Sequence, residues 1–264
     1  MRLPVNGHEV FAATGGRPFD PALPTIVFLH GAGMDRSVWA LQTRWFAHHG
    51  YGVLAPDLPG HGLSGGEALP SIAAMADWVV ALVEAAGGSA AWLVGHSMGS
   101  LVALDAAARH PAKVSAISLI GTAAAMTVGP DLLKAAEAND AAAVDMVSIW
   151  GLGFRAGLGG NTAPGLWMHG GAERVLQAAP PGVLFNDLNA CNAYGDALAA
   201  AARVAAPVTL VLGERDMMTP AKAGRALAAA LPQARTVVLR GAGHMMMVER
   251  PDEVLAALRA QAAA

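Results

Sequence analysis

The sequence predicts an α/β fold: a mainly parallel central sheet with helices on both faces and an inserted helical cap. Three observations carry this prediction. Apolar runs at 25–29, 52–55, 90–94, 114–120, 208–212 and 236–239 alternate with longer segments of helical character. The runs are continuous, as expected of parallel strands buried on both faces. A chain of 264 residues with 54% hydrophobic content can also enclose one large core.

Residues 5–12 read as an edge hairpin turning at Asn6-Gly7, a pair suited to a tight two-residue turn. The strand at 25–29 runs into His30-Gly31-Ala32-Gly33, and the strand at 52–55 into Asp57-Leu58-Pro59-Gly60-His61-Gly62-Leu63-Ser64. In this second loop Gly60, Gly62 and the Asp57 side chain suit a tight turn, so Asp57 and His61 read as architecture rather than catalysts. After the strand at 114–120 the alternation breaks, and no β-rich run appears for roughly eighty residues, far more than an ordinary crossover needs. The expected organisation is a core formed by 1–121 and 205–264, with 122–204 as a helical cap. The cap contains Trp150, Phe154 and Trp167 around a glycine-dense stretch at 151–171. Apolar side chains on a flexible backbone suit a lid over a hydrophobic pocket, so these three are the candidate substrate contacts. The strands at 208–212 and 236–239 and a C-terminal helix from near Arg250 complete the core.

Gly95-His96-Ser97-Met98-Gly99 lies between the apolar run Ala91-Trp92-Leu93-Val94 and a helix predicted from Met98 to about residue 110. This spacing places one serine on a sharp strand-to-helix turn, where small residues on both sides relieve crowding. Ser97 at a helix N-terminus would meet amides and a dipole that favour a tetrahedral oxyanion over a neutral carbonyl. A serine hydroxyl also needs a base and a group to orient that base. Among nine histidines, His244 is best placed, in a Gly-Ala-Gly-His loop after the strand at 236–239. Asp216 follows the strand at 208–212 and is the expected acid, with Glu214 its nearest competitor and helix capping its alternative use.

The order Ser97, Asp216, His244, each after a strand, is the order associated with the α/β-hydrolase fold, and over nearly its whole length the chain resembles that superfamily. His30-Gly31-Ala32-Gly33 is similar to the family's His-Gly turn, and 57–64 to its D-x-x-G-x-G-x-S loop. The resemblance implies an oxyanion hole made by the Ala32 and Met98 amides, with Gly33 the alternative if the loop sits one residue later. It gives His30 the task of tying that loop down. The implied reaction is ester hydrolysis through an acyl-enzyme on Ser97, on a small, largely apolar ester. Family members with an aspartate at the elbow, such as epoxide hydrolases and haloalkane dehalogenases, are disfavoured by Ser97. Carbon–carbon bond hydrolases of ring-cleavage products and cofactor-free perhydrolases keep the serine, and lactone or amide cleavage uses the same groups. Met245-Met246-Met247 after the histidine, where the C–C hydrolases usually carry an aromatic, leans toward esters. A ligand-sensing receptor on the same scaffold is the reading from another class.

The formal net charge is −3 and only 14% of residues are charged, without a basic stripe, so nucleic acid is not an expected partner. Neither an N-terminal apolar leader nor an 18-residue apolar span is read, so no membrane is expected, and the reading is a soluble cytoplasmic protein. Cys191 is the single cysteine, read as packing. No metal-ligand spacing or phosphate-binding loop is found, so no cofactor and no metal are implied. The oligomeric state is left open.

Overall fold

The computed structural model describes residues 1–159 and 166–263. Its centre is an eight-stranded sheet, in the order β1-β2-β4-β3-β5-β6-β7-β8. The strands are β1 (Arg2–Val5), β2 (His8–Ala13), β3 (Thr25–Leu29), β4 (Gly52–Pro56), β5 (Ala91–His96), β6 (Val114–Ile120), β7 (Val208–Gly213) and β8 (Arg235–Leu239). β1 and β2 form the expected hairpin, with φ of 48° at Asn6 and 84° at Gly7, as a primed turn requires. β2 is antiparallel to β4, and every later pairing is parallel.

Why these runs form strands is visible in what they bury. β3, β4, β5 and β7 are buried along their whole length. Alternate residues serve opposite faces: Val27, Leu29, Leu93, Leu210 and Leu212 enter one core cluster, while Ile26, Phe28, Trp92, Val94 and Val211 enter the other. The first cluster is covered by α2 (Ile72–Ala85), α3 (Met98–Arg109) and α10 (Ala221–Ala229), and the second by α1 (Ala40–Ala47) and α12 (Pro251–Ala262). Helix starts follow local chemistry. The Ser71 hydroxyl accepts from the Ala74 amide at 3.2 Å to open α2, and Pro251 opens α12 ahead of Asp252 and Glu253.

Between β6 and β7 the described residues form only helices: α4 (Pro130–Glu137), α5 (Ala141–Gly151), α6 (Phe154–Gly157), α7 (Met168–Ala178), α8 (Val183–Ala193) and α9 (Ala197–Ala201). Part of the glycine-dense stretch, 160–165, lies outside the described residues. α9 buries Ala197, Ala200 and Ala201 in the same cluster as α3, so the end of the insertion packs into the core. The short α11 (Met246–Glu249) precedes α12. No described helix is long and apolar enough to cross a membrane.

Candidate active site

Parallel strands deliver their C-terminal ends to one end of the sheet, and the predicted site residues sit there on four connections: Ala32 after β3, Ser97 after β5, Asp216 after β7 and His244 after β8, with only β6 between β5 and β7. Ser97 has φ 52° and ψ −119°, a left-handed backbone for a residue with a side chain, worth roughly 1–3 kcal/mol of strain. Its surroundings impose that conformation. The Ser97 amide donates to the Ile120 carbonyl at 2.9 Å, and its carbonyl accepts from the Ser100 amide at 2.8 Å and the Ser100 hydroxyl at 2.6 Å. The flanking glycines are close-approach positions: a Cβ on Gly95 would run into the Gly99 carbonyl, and one on Gly99 would lie 2.5 Å from the Leu29 oxygen and 2.7 Å from the His30 oxygen. Because those neighbours are backbone, Gly99→Ala is expected to destabilise the fold by about 3 kcal/mol, the upper end of ordinary overpacking; a denaturant midpoint unchanged from wild type would contradict this crowding.

His244 Nδ1–H donates to Asp216 Oδ2 at 2.8 Å, with both side chains buried. Asp216 Oδ1 accepts from the amides of Met218 at 2.9 Å and Thr219 at 2.7 Å, and Oδ2 accepts from the Thr219 hydroxyl at 2.7 Å. Asp216 therefore closes the turn before α10 and faces the imidazole at once. Burial opposes its ionisation, but the His244 ring and the hydrogen bonds from His244 and Thr219 outweigh it and hold the carboxyl below the usual carboxylate range. Glu214 is exposed and accepts from the Gly241 amide at 2.9 Å, whereas the hydrogen bond from the histidine ring goes to Asp216. His244 Nε2 is buried and has no hydrogen-bond partner among the described residues. No bond joins it to Ser97 Oγ, as is common before substrate fills such a site.

The histidine loop is anchored from several sides. The amides of His244 and Met245 donate to the Gly151 carbonyl at 3.0 and 2.9 Å, and the buried Glu249 carboxylate accepts from the Gly243 and Gly153 amides. Burial raises the Glu249 pKa, against the opposing pull of those two amides. His96, beside Ser97, donates Nε2–H to the His244 carbonyl at 3.0 Å; burial first, and the neighbouring His244 second, push its pKa down to about 3, so it stays neutral.

The amides of Ala32 and Met98 find no acceptor among the described residues, whereas the Gly33 amide is already committed to Asp187 Oδ2 at 2.9 Å. The register with Ala32 as donor is the one left open to a substrate. His30 ties its own loop down: Nδ1 donates to the Gly31 carbonyl at 2.9 Å, and Nε2 accepts from the Leu58 amide at 3.1 Å. Asp57 accepts from the Arg36 amide at 2.9 Å, the Arg36 guanidinium at 2.6 Å and the Leu63 amide at 2.8 Å, which is the work of a turn brace.

Ser97, His244, Ala32 and Thr219 line one cavity of about 190 Å³ whose remaining wall is mostly apolar, including Met34, Met126, Leu132, Val147, Leu176 and Leu188. Of the three cap aromatics, only Trp150 lines it. Phe154 is 82% exposed and borders an outer groove with Arg155 and Arg240; Trp167 is 72% exposed and borders a separate hollow with Ser37 and Val38. The cavity is instead roofed by aliphatic and methionine side chains of the helical insertion. Cys191 also lines it, but burial pushes its thiol pKa up, so it stays protonated. Thr219, Glu249 and Asp187 were not singled out from the sequence. Glu249 lies five residues after His244, a short enough interval to have been noticed; Asp187 has no local signal.

A serine on a strained elbow, a buried acid–imidazole pair and two open amides stand around this apolar cavity, and a family model described as the alpha/beta hydrolase family matches residues 26–257. The chain belongs to the α/β hydrolase family. It is similar to pimeloyl-[acyl-carrier protein] methyl ester esterases: 32% identical to that of Chromobacterium violaceum, covering 89% of this chain and 92% of the relative. The enzyme of that name from Aromatoleum aromaticum is 31% identical, with 87% and 94% covered. Among solved structures, an enol-lactonase from Burkholderia xenovorans shares the fold with a TM-score of 0.88 at 24% identity over all of both chains. A thermophilic esterase superposes with a TM-score of 0.81 at 26% identity, with 98% of this chain and 95% of that one covered.

Proposed function

We propose that Ser97, Asp216 and His244 are the nucleophile, orienting acid and general base of an ester hydrolase, that the Ala32 and Met98 amides form its oxyanion hole, and that α4–α8 within 122–204 act as its lid. The chain is an esterase-type α/β hydrolase, so what is proposed is which groups act and on what. The observation that carries the reading is that His244, held by Asp216 at 2.8 Å, lines the same apolar cavity as Ser97. His244 Nε2 takes the Ser97 proton as Oγ attacks the carbonyl carbon, and the carbonyl oxygen gains charge between the two amides. Collapse expels the alcohol, which receives the proton from His244. Water, deprotonated by the same nitrogen, then attacks the acyl-enzyme and releases the acid. His96 and Cys191, neutral in the wall, leave His244 the proton carrier.

The cavity sizes the substrate. About 190 Å³ lies below the roughly 300–1,000 Å³ of pockets for drug-sized ligands, which favours a short acyl group over a long chain. Among p-nitrophenyl esters from acetate to laurate, kcat/KM is expected to peak at four to six carbons and fall at least about tenfold by laurate. A rise through laurate would show that the roof yields. Multiple turnover dependent on Ser97 separates an enzyme from a receptor that cleaves its ligand once.

A second substrate class is favoured by the curated relatives, whose names specify a methyl ester on a carrier-linked acyl chain. A kcat/KM for a carrier-linked methyl ester at least a hundredfold above that for the free methyl ester would select it; equal values select the small free ester.

A further inference from the structure

We propose that Asp187, on α8 of the helical insertion, and His61, on the loop after β4, act together as positioning residues for the oxyanion loop, so that the Ala32 amide is aimed by the insertion itself. This rests on the reading of Ser97 and Ala32 given above. Asp187 is completely buried, and a single oxygen, Oδ2, accepts both the Gly33 amide at 2.9 Å and His61 Nε2–H at 2.8 Å. Gly33 follows the proposed donor, so fixing its N–H fixes the 32–33 peptide plane, which adjoins the 31–32 plane that carries the Ala32 N–H. His30 and the Met34 amide, both bonded to the Gly31 carbonyl, hold the other end of the loop. The loop is thus held from the sheet on one side and from the insertion on the other.

Geometry also fixes the charge of His61. Its Nδ1 lies 3.0 Å from the Pro59 carbonyl and its Nε2 faces the Asp187 carboxylate, and neither a carbonyl nor an ionised carboxylate can donate. Both ring nitrogens therefore carry protons. Burial opposes the imidazolium, but the hydrogen bond to Asp187 and its charge outweigh burial and hold the His61 pKa above the ordinary histidine value. The other titratable groups facing it are His30, whose ring centroid is 4.8 Å away, and Asp57. His30 is pushed down to about 4 by burial and then by His61, so the charge stays on His61. A buried ion pair of this kind adds little net stability over an apolar pair. What it supplies here is a fixed, dry acceptor for one particular loop amide.

The test is Asp187→Asn. An asparagine oxygen can still accept from Gly33, but without the countercharge His61 becomes neutral and one of its two acceptors faces a lone pair. The expected result is a fall in kcat per titrated active site of about 30- to 100-fold, below the 10²–10³ for losing an oxyanion donor outright, with KM changed by less than about threefold. Affinity for a trifluoromethyl ketone, whose adduct places an oxyanion in the hole, should fall in parallel. In wild type, kcat should decline as alkaline pH removes the His61 proton, and His61→Gln should lack that decline. A merely structural role would lower the active-site titre and the melting temperature and leave kcat per site and ketone affinity within twofold, which would overturn the proposal. If Asp187→Asn does not fold, His61→Gln carries the same readouts. Should Ser97→Ala retain turnover, the underlying reading fails; should it be inactive while Asp187→Asn matches wild type, only this inference fails.

Discussion

Ser97→Ala is expected to lower kcat on a short p-nitrophenyl ester by about a millionfold, the loss seen when a triad nucleophile is removed, while the melting temperature stays within a few degrees of wild type. The two halves have separate causes. Chemistry fails because Oγ is lost from the elbow and its two nearest candidate substitutes are committed: Cys191 is held protonated in the wall, and His96 is neutral with its Nε2–H on the His244 carbonyl. Stability survives because the bonds that hold the elbow are made by the Ser97 backbone and by Ser100, and alanine keeps them. Alanine also inherits the strain at φ 52°, which folded packing already sustains. Residual turnover above about one part in a thousand of wild type, in a sample free of the parent enzyme, would remove Ser97 from the role assigned to it.

Asp216→Asn is expected to cost about 10⁴ in kcat, through the wrong histidine tautomer. Oδ1 accepts two backbone amides, from Met218 and Thr219, so an asparagine oxygen must occupy that position. Its NH2 then lies where Oδ2 was and donates to His244 Nδ1. The imidazole is forced to carry its proton on Nε2, toward Ser97, and cannot accept another there. The same substitution tests the lowered pKa of Asp216. Because its folded value lies below its unfolded value of about 3.9, the stabilisation is fully present above that value and is lost as pH falls through the folded value. The wild-type advantage in urea midpoint over Asp216→Asn should therefore be constant near neutrality and shrink below about pH 4. A constant difference down to pH 2 would contradict a lowered pKa.

The strands were legible because a sheet buried on both faces leaves little choice of residue: the runs at 25–29 and 114–120 coincide with β3 and β6. β5 extends to His96, two residues beyond its apolar run, because His96 and Ile120 stay in register at the C-terminal ends of β5 and β6. The placement of Ser97, Asp216 and His244 at one end of the sheet was legible because each stands in a connection that follows a strand. The insertion was legible as an interruption and not in its detail. Phe154 and Trp167 have the residue types of a pocket wall, but a four-residue helix such as α6 has too few turns to show which side faces inward. Asp187 was illegible for another reason: its partners Gly33 and His61 lie 154 and 126 residues away, and only the folded chain joins them.

The central claim is that Ser97 Oγ attacks the substrate carbonyl and carries the acyl group. The most direct test is to inactivate the wild-type protein with a fluorophosphonate and map the adduct by peptide mass spectrometry. Stoichiometric modification of the peptide containing Ser97, in step with the loss of esterase activity, is the predicted result. Full esterase activity after exhaustive treatment, or inactivation with the adduct on another residue, would contradict it.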